Sequence, residues 1–141
     1  MGYTSYNPAM PGFLGDRASL DYYPTGVEIA WADVIDDPAY VDLDGNKFVK
    51  AGTLMAIDPT TGKMIPHQIA DVAYTDVIGH LASNAHEDSQ TDALSGYGVY
   101  TAGNIFENLL PEFLDAWWAA TGQAASAALG FKHYTYSDDR S

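Results

Sequence analysis

The sequence predicts an α+β fold that is mostly β: a small barrel or sandwich of short strands, one or two short C-terminal helices, and an extended N-terminal arm. Three observations lead there. Between Val27 and Thr101, short apolar runs are separated by turns rich in Gly, Pro and Asp. Helical periodicity is confined to the last third of the chain. The first 26 residues are broken by Pro8, Pro11, Pro24 and four glycines, too often for any regular element. Yet Tyr3, Tyr6, Met10, Phe13, Leu14, Leu20, Tyr22 and Tyr23 make that segment too apolar for a solvated linker. With 141 residues there is room for one domain, so the chain divides into an arm, 1–26, and a β-rich domain, 27–141.

The elements follow in order. Val27, Ile29 and Trp31 alternate with Glu28, Ala30 and Ala32, the period of a half-buried strand, and Asp36-Asp37-Pro38 ends it. Tyr40–Leu43 and Lys47–Val49 flank Asp44-Gly45-Asn46 and read as a hairpin. Thr53–Ile57 and Lys63–Ile65 flank the turn Asp58–Gly62, and further strands fit Val77–Ala82 and Tyr97–Thr101. Leu110, Phe113, Leu114, Trp117 and Trp118 fall at i, i+3, i+4, i+7 and i+8, one helical stripe. Pro111 suits its first turn, Glu112 its positive end, and Thr121-Gly122 its close. A second short helix, Gln123–Leu129, a last strand, Phe131–Tyr136, and a polar tail complete the reading. Adjacent indoles lie about 100° apart on a helix, so one of Trp117 and Trp118 is expected in the core and the other against a neighbouring subunit.

Composition excludes several functions. Six Lys+Arg against nineteen Asp+Glu give a net charge of −13. Binding nucleic acid through phosphates needs clustered cations, and a polybasic membrane patch fails on the same ground. With no cysteine, disulfides, thiolate nucleophiles and Cys-ligated zinc are out. The N-terminal residues have neither the cationic nor the apolar region of a secretory signal, and no apolar run approaches the roughly 20 residues that span a bilayer.

The chemical motifs are weak. His80 and His86-Glu87-Asp88 combine imidazoles with carboxylates, but the histidines are six apart, not the three or four that put two ligands on one helix face. A solvated acidic loop is the expectation, with no metal and no cofactor. Asp42-Leu43-Asp44-Gly45-Asn46 starts like a calcium loop, yet its Gly is fourth and its twelfth position is Thr53. Gly96-Tyr97-Gly98 with Gly103 lacks dinucleotide spacing, and neither G-x-S-x-G nor H-E-x-x-H occurs. No catalytic residue is assigned, and the chain is expected not to be an enzyme.

Three stretches carry a resemblance. Residues 50–67 run Lys-Ala-Gly-Thr-Leu-Met-Ala-Ile-Asp-Pro-Thr-Thr-Gly-Lys-Met-Ile-Pro-His, residues 77–82 Val-Ile-Gly-His-Leu-Ala, and residues 99–112 Val-Tyr-Thr-Ala-Gly-Asn-Ile-Phe-Glu-Asn-Leu-Leu-Pro-Glu. In order and spacing they resemble the lambda-like head decoration proteins of tailed bacteriophages: a Gly-Thr strand with a Thr-Gly-Lys turn, a hydrophobic-Gly-x-Leu strand, then Tyr-x-x-Gly leading to Pro-Glu. Together they cover about half the chain, roughly residues 45 to 115. The sequence before the first match is longer than the family's, and residues 66–77 depart from its pattern.

The resemblance implies a β-tulip type of fold and a homotrimer on the outside of the expanded head, at threefold or quasi-threefold positions. Its partner would be the major capsid protein, and its place the virion surface after synthesis in the host cytoplasm. The arm residues Tyr3, Tyr6, Phe13, Leu14, Leu20, Tyr22 and Tyr23 would then reach the capsid, and Phe113, Leu114, Trp117 and Trp118 would pack the core or the trimer. Three other readings stay open. The chain could serve as a head fibre or tail component, or as a carbohydrate-binding module using Tyr22, Tyr23 or Trp31. A hydrolase would need His80, His86 and acids to converge.

Overall fold

Leu54-Met55-Ala56-Ile57 is apolar at every position, the pattern of a strand covered on both faces. In the computed structural model, which describes residues 12–15, 19–87 and 96–137, that run is β3, Leu54–Ile57, and it is buried throughout. Around it lie β1, Asp21–Tyr22; β4, Met64–Pro66; β5, Asp76–Leu81; β7, Val99–Phe106; and β8, Phe131–Tyr134. The order across the sheet is β1-β7-β5-β3-β4, antiparallel throughout, and β8 adds in parallel to the second half of β7. β2, Phe48–Val49, and β6, Ala85–His86, form a separate two-stranded ribbon. The fold is thus α+β and mostly β. The main sheet stays open, with β1 and β4 at its ends, so no barrel closes.

Alternation along the strands divides the core in two. Met55, Met64, Leu81 and Val99 join Val27, Ile29, Val34, Tyr40, Val49 and Tyr97 on one side. Leu54, Tyr100 and Ile105 join Phe13, Leu14, Leu110, Trp118 and Phe131 on the other. The two-residue alternation that puts Leu54 and Met55 in different clusters is the pleat itself.

The turns obey their local chemistry. In the Asp58–Gly62 turn the Asp58 carboxylate accepts from the Thr60 N–H at 2.8 Å, and Gly62 takes a left-handed φ of 75°. Asp42 Oδ1 accepts from the Asp44 and Asn46 N–H groups at 2.9 Å, closing the hairpin. Gly79 is demanded by neighbours: a Cβ there would lie 1.8 Å from the Tyr100 carbonyl oxygen.

Two elements differ from expectation. The alternation from Val27 holds through Ile29, which bridge Tyr97 and Met64 respectively, but Trp31–Asp33 turns into a 3-10 helix. The Trp31 carbonyl accepts from Lys47 Nζ at 3.0 Å, so the chain is tied to the hairpin and leaves the sheet edge. The helix predicted from Leu110 is also displaced. Pro111–Leu114 forms turns, helix starts at Ala116, Trp118–Gly122 is a π turn, and α1, Gln123–Ala128, follows without a break. Gly122 is therefore inside the helix and not its cap. A Cβ there would stand 2.6 Å from the Trp117 ring and 2.7 Å from that of Trp118, so its function is close packing. Among the described residues no helix is long and apolar enough to cross a membrane.

Candidate functional site

The described part of the arm is built into the domain. Phe13 and Leu14 are only 4% and 3% exposed. The Phe13 carbonyl accepts from the Phe106 N–H, and the Gly15 N–H donates to the Asn104 carbonyl, so this stretch runs along the second half of β7. Phe13 meets the Tyr100 ring edge-on, with centroids 6.3 Å apart. Leu20 is half-buried against Gly103, where a Cβ would lie 2.8 Å from its side chain. Tyr22, 57% exposed, leans over Tyr100 at 5.0 Å, while half-buried Tyr23 packs on the opposite cluster with Trp31. These three aromatics therefore form no shared platform of the kind a sugar needs. Tyr3 and Tyr6 lie outside the described residues. Phe13 and Leu14, with Leu20 packed beside them, complete the cluster around Ile105, so these residues of the segment before Val27 pack on the β-rich domain.

The helix residues separate similarly. Trp118 is 2% exposed and its Nε1–H donates to Glu107 Oε1 at 3.0 Å. Trp117 is half-buried, edge-on to His67 at 5.5 Å. Phe113 is half-buried, and Leu114 is 93% exposed. The stripe fails because residues 111–115 are turns, to which helical spacing does not apply.

His80 and His86 are not brought together. His86 sits exposed on β6, stacked on Phe48. His80 is fully buried on β5. Its Nδ1 lies 2.7 Å from the Gly52 carbonyl, which only accepts, so Nδ1 carries the proton. Its Nε2 then accepts from the Ser126 hydroxyl at 2.8 Å, and the Ser126 oxygen accepts from His133 Nε2–H at 2.9 Å. Every donor in this chain has an acceptor, and it pins β5, α1 and β8 together. Ser126 is buried as well, so the serine–histidine pair offers no nucleophile to a substrate. Glu87 Oε1 is occupied by the Lys47 N–H, and Asp88 lies outside the described residues. Among the described residues no group of three His, Asp or Glu side chains is placed to hold a metal ion.

The feature that sequence reasoning missed is Glu112. Expected at the positive end of a helix, it lies outside any helix and is 4% exposed. Its Oε1 accepts from the Leu54 N–H at 2.9 Å, whereas Oε2 has no hydrogen-bond partner. Glu112 lines a cavity of about 300 Å³ with Ile35, Asp37, Tyr40, Lys50, Thr53 and Asp115, among others. Burial pushes its carboxyl up to about 7, with the Asp115 charge adding to the rise and the Leu54 hydrogen bond opposing it. A second open cavity, lined by Phe48, His86, Asn84 and Leu109, shares Lys50 and Pro111 with the first.

Glu112 and His80 give folding two opposed pH dependences. Burial lowers His80 from 6.5 to about 4, so as pH falls through that range the unfolded chain gains a proton that the folded chain refuses, and stability drops. Glu112 is raised from 4.5 to about 7, so stability drops as pH rises through that range. Each contribution is about 3 kcal/mol at 1.36 kcal/mol per unit. His67 and His133, also lowered mainly by burial, share the sign of His80. Glu112→Gln is therefore expected to steepen the acid-side loss by about 2 kcal/mol between pH 6.5 and 4.5, measured by denaturant titration at each pH. Parallel profiles for the two proteins would contradict the assignment.

Comparison with protein-family models, with curated proteins and with solved structures finds no match to the chain.

Proposed function

We propose that this chain is a structural virion protein without enzymatic activity. It binds the outer surface of an expanded phage head as a homotrimer at threefold or quasi-threefold positions, and stabilises the lattice of major capsid protein. The observation that carries this reading is the order of the three resembling stretches, which fall on connected parts of one sheet: β3–β4, β5, and β7 through to Glu112. Anchoring of Phe13 and Leu14 along β7 supports it, since an arm needs a fixed root on the domain.

The physics of such a role needs no catalytic group. A protein that binds one state of a lattice stabilises that state by mass action. Three tethered arms on one trimer raise the effective concentration of each for its site, so weak single contacts add up. An acidic surface stays soluble and avoids packaged DNA. Removing residues 2–11 is expected to weaken binding to expanded heads at least tenfold while the core packing of Phe13 and Leu14 is kept. Equal affinity of the truncated and full chains, measured by sedimentation with heads, would contradict the arm's role.

A further inference from the structure

Glu112 keeps a carboxylate oxygen, Oε2, without a donor inside a nearly closed side chain environment. Asp37 and Asp115 line the same cavity, and no cation neutralises Glu112: the ion pair among the described residues is Lys63–Glu28 at 4.0 Å, elsewhere on the surface. Lys50 lines the cavity without pairing to any of these acids. The remaining walls include Ile35, Ile69, Pro111 and the Tyr40 ring. An unmet buried acceptor, two further carboxylates and apolar side chains around them select a planar, weakly hydrated cation.

We propose that this cavity receives a guanidinium group, presented by an arginine side chain of the protein on which this chain docks. The proposal rests on the docking reading above and names the chemistry its partner must present. A guanidinium offers a fixed fork of donors to a carboxylate and stacks on apolar or aromatic surface, whereas an ammonium gives up more hydration for less directional bonding. A divalent metal needs several oxygens converging on one point, and among the described residues no such set of acidic side chains exists. Glu112 Oε2 would accept from the guanidinium, with Asp115 at the mouth providing the second negative charge. Tyr40, Asp37 and Lys50 are the other ionisable groups facing the cavity.

The test has two arms. In the first, the Glu112 carboxyl of the full chain is followed by carbon NMR across pH 4 to 9, with methylguanidinium chloride or with sodium chloride at equal ionic strength. Methylguanidinium is expected to lower the midpoint saturably by about one unit, a tenfold preference for the ionised form. Asp115→Asn, an exposed change that leaves the Leu54 contact intact, is expected to weaken the effect severalfold. An unchanged midpoint, as a trapped water alone would give, overturns the proposal. In the second arm, Glu112→Gln is compared with the parent on expanded heads after its cooperative unfolding is verified. Binding at least tenfold weaker is expected. Equal binding overturns the proposal and leaves the docking reading standing. If the parent itself does not bind heads, the docking reading falls, and with it the partner named for this cavity; the first arm still decides whether the cavity takes a guanidinium.

Discussion

A chain that starts at Pro24 is expected to lose most of its stability, whereas one that starts at Gly12 still unfolds cooperatively. The first lacks Phe13 and Leu14, both buried in the cluster around Tyr100 and Ile105, together with β1 and its pairing to β7. Emptying a buried Phe site costs about 3–5 kcal/mol and a buried Leu site about 2–5. Their sum reaches the whole stability of an ordinary domain, about 5–15 kcal/mol. Urea denaturation of the two truncations decides the matter. A chain starting at Pro24 with stability within about 0.5 kcal/mol of the parent would show that the segment is detachable.

Trp118→Ala is expected to cost about 3–5 kcal/mol, or about 10 °C in Tm at a few degrees per kcal/mol for a domain of this size. The indole is 2% exposed and lies 6.1 Å from the His80 ring and 5.7 Å from that of His133. Its removal would open a void beside the buried His80–Ser126–His133 chain and take one of the two donors from Glu107, leaving that of Gln123. The π turn at Trp118–Gly122 exists around this ring, with Gly122 packed against it. A loss below about 1 kcal/mol would mean that the ring is not part of the core.

The strands were legible because their signals are local. Asp58–Gly62 closes its turn through its own side chains, and Leu54–Ile57 is apolar at consecutive positions as a doubly covered strand must be. The glycines of the three singled-out stretches also read as geometry: Gly52, Gly79 and Gly103 take positive φ, and a Cβ at each would meet neighbouring atoms within 3.0 Å. They specify the fold and say nothing directly about a binding surface.

What escaped the sequence depends on distant partners. Glu112 is held by the N–H of Leu54, 58 residues earlier, and no local pattern distinguishes that carboxyl from one at a helix start. The spacing of Leu110, Phe113, Leu114, Trp117 and Trp118 matches a helix while residues 111–115 are turns, so the stripe had no backbone to support it. His80 is fixed by Gly52 and by Ser126, 28 and 46 residues away. The packing of Phe13 and Leu14 along β7 leaves no period in so short a segment, so the Pro- and Gly-rich start shows no sign of it in the sequence.

The most direct measurement on the proposed function is cosedimentation of the full chain with undecorated heads of the cognate phage, expanded and unexpanded, with copies per shell counted at saturation. The account predicts about one copy per major capsid subunit on expanded heads and none on unexpanded ones, the stoichiometry of trimers filling threefold and quasi-threefold positions. Absence of binding to expanded heads, or equal binding to both forms, would contradict it.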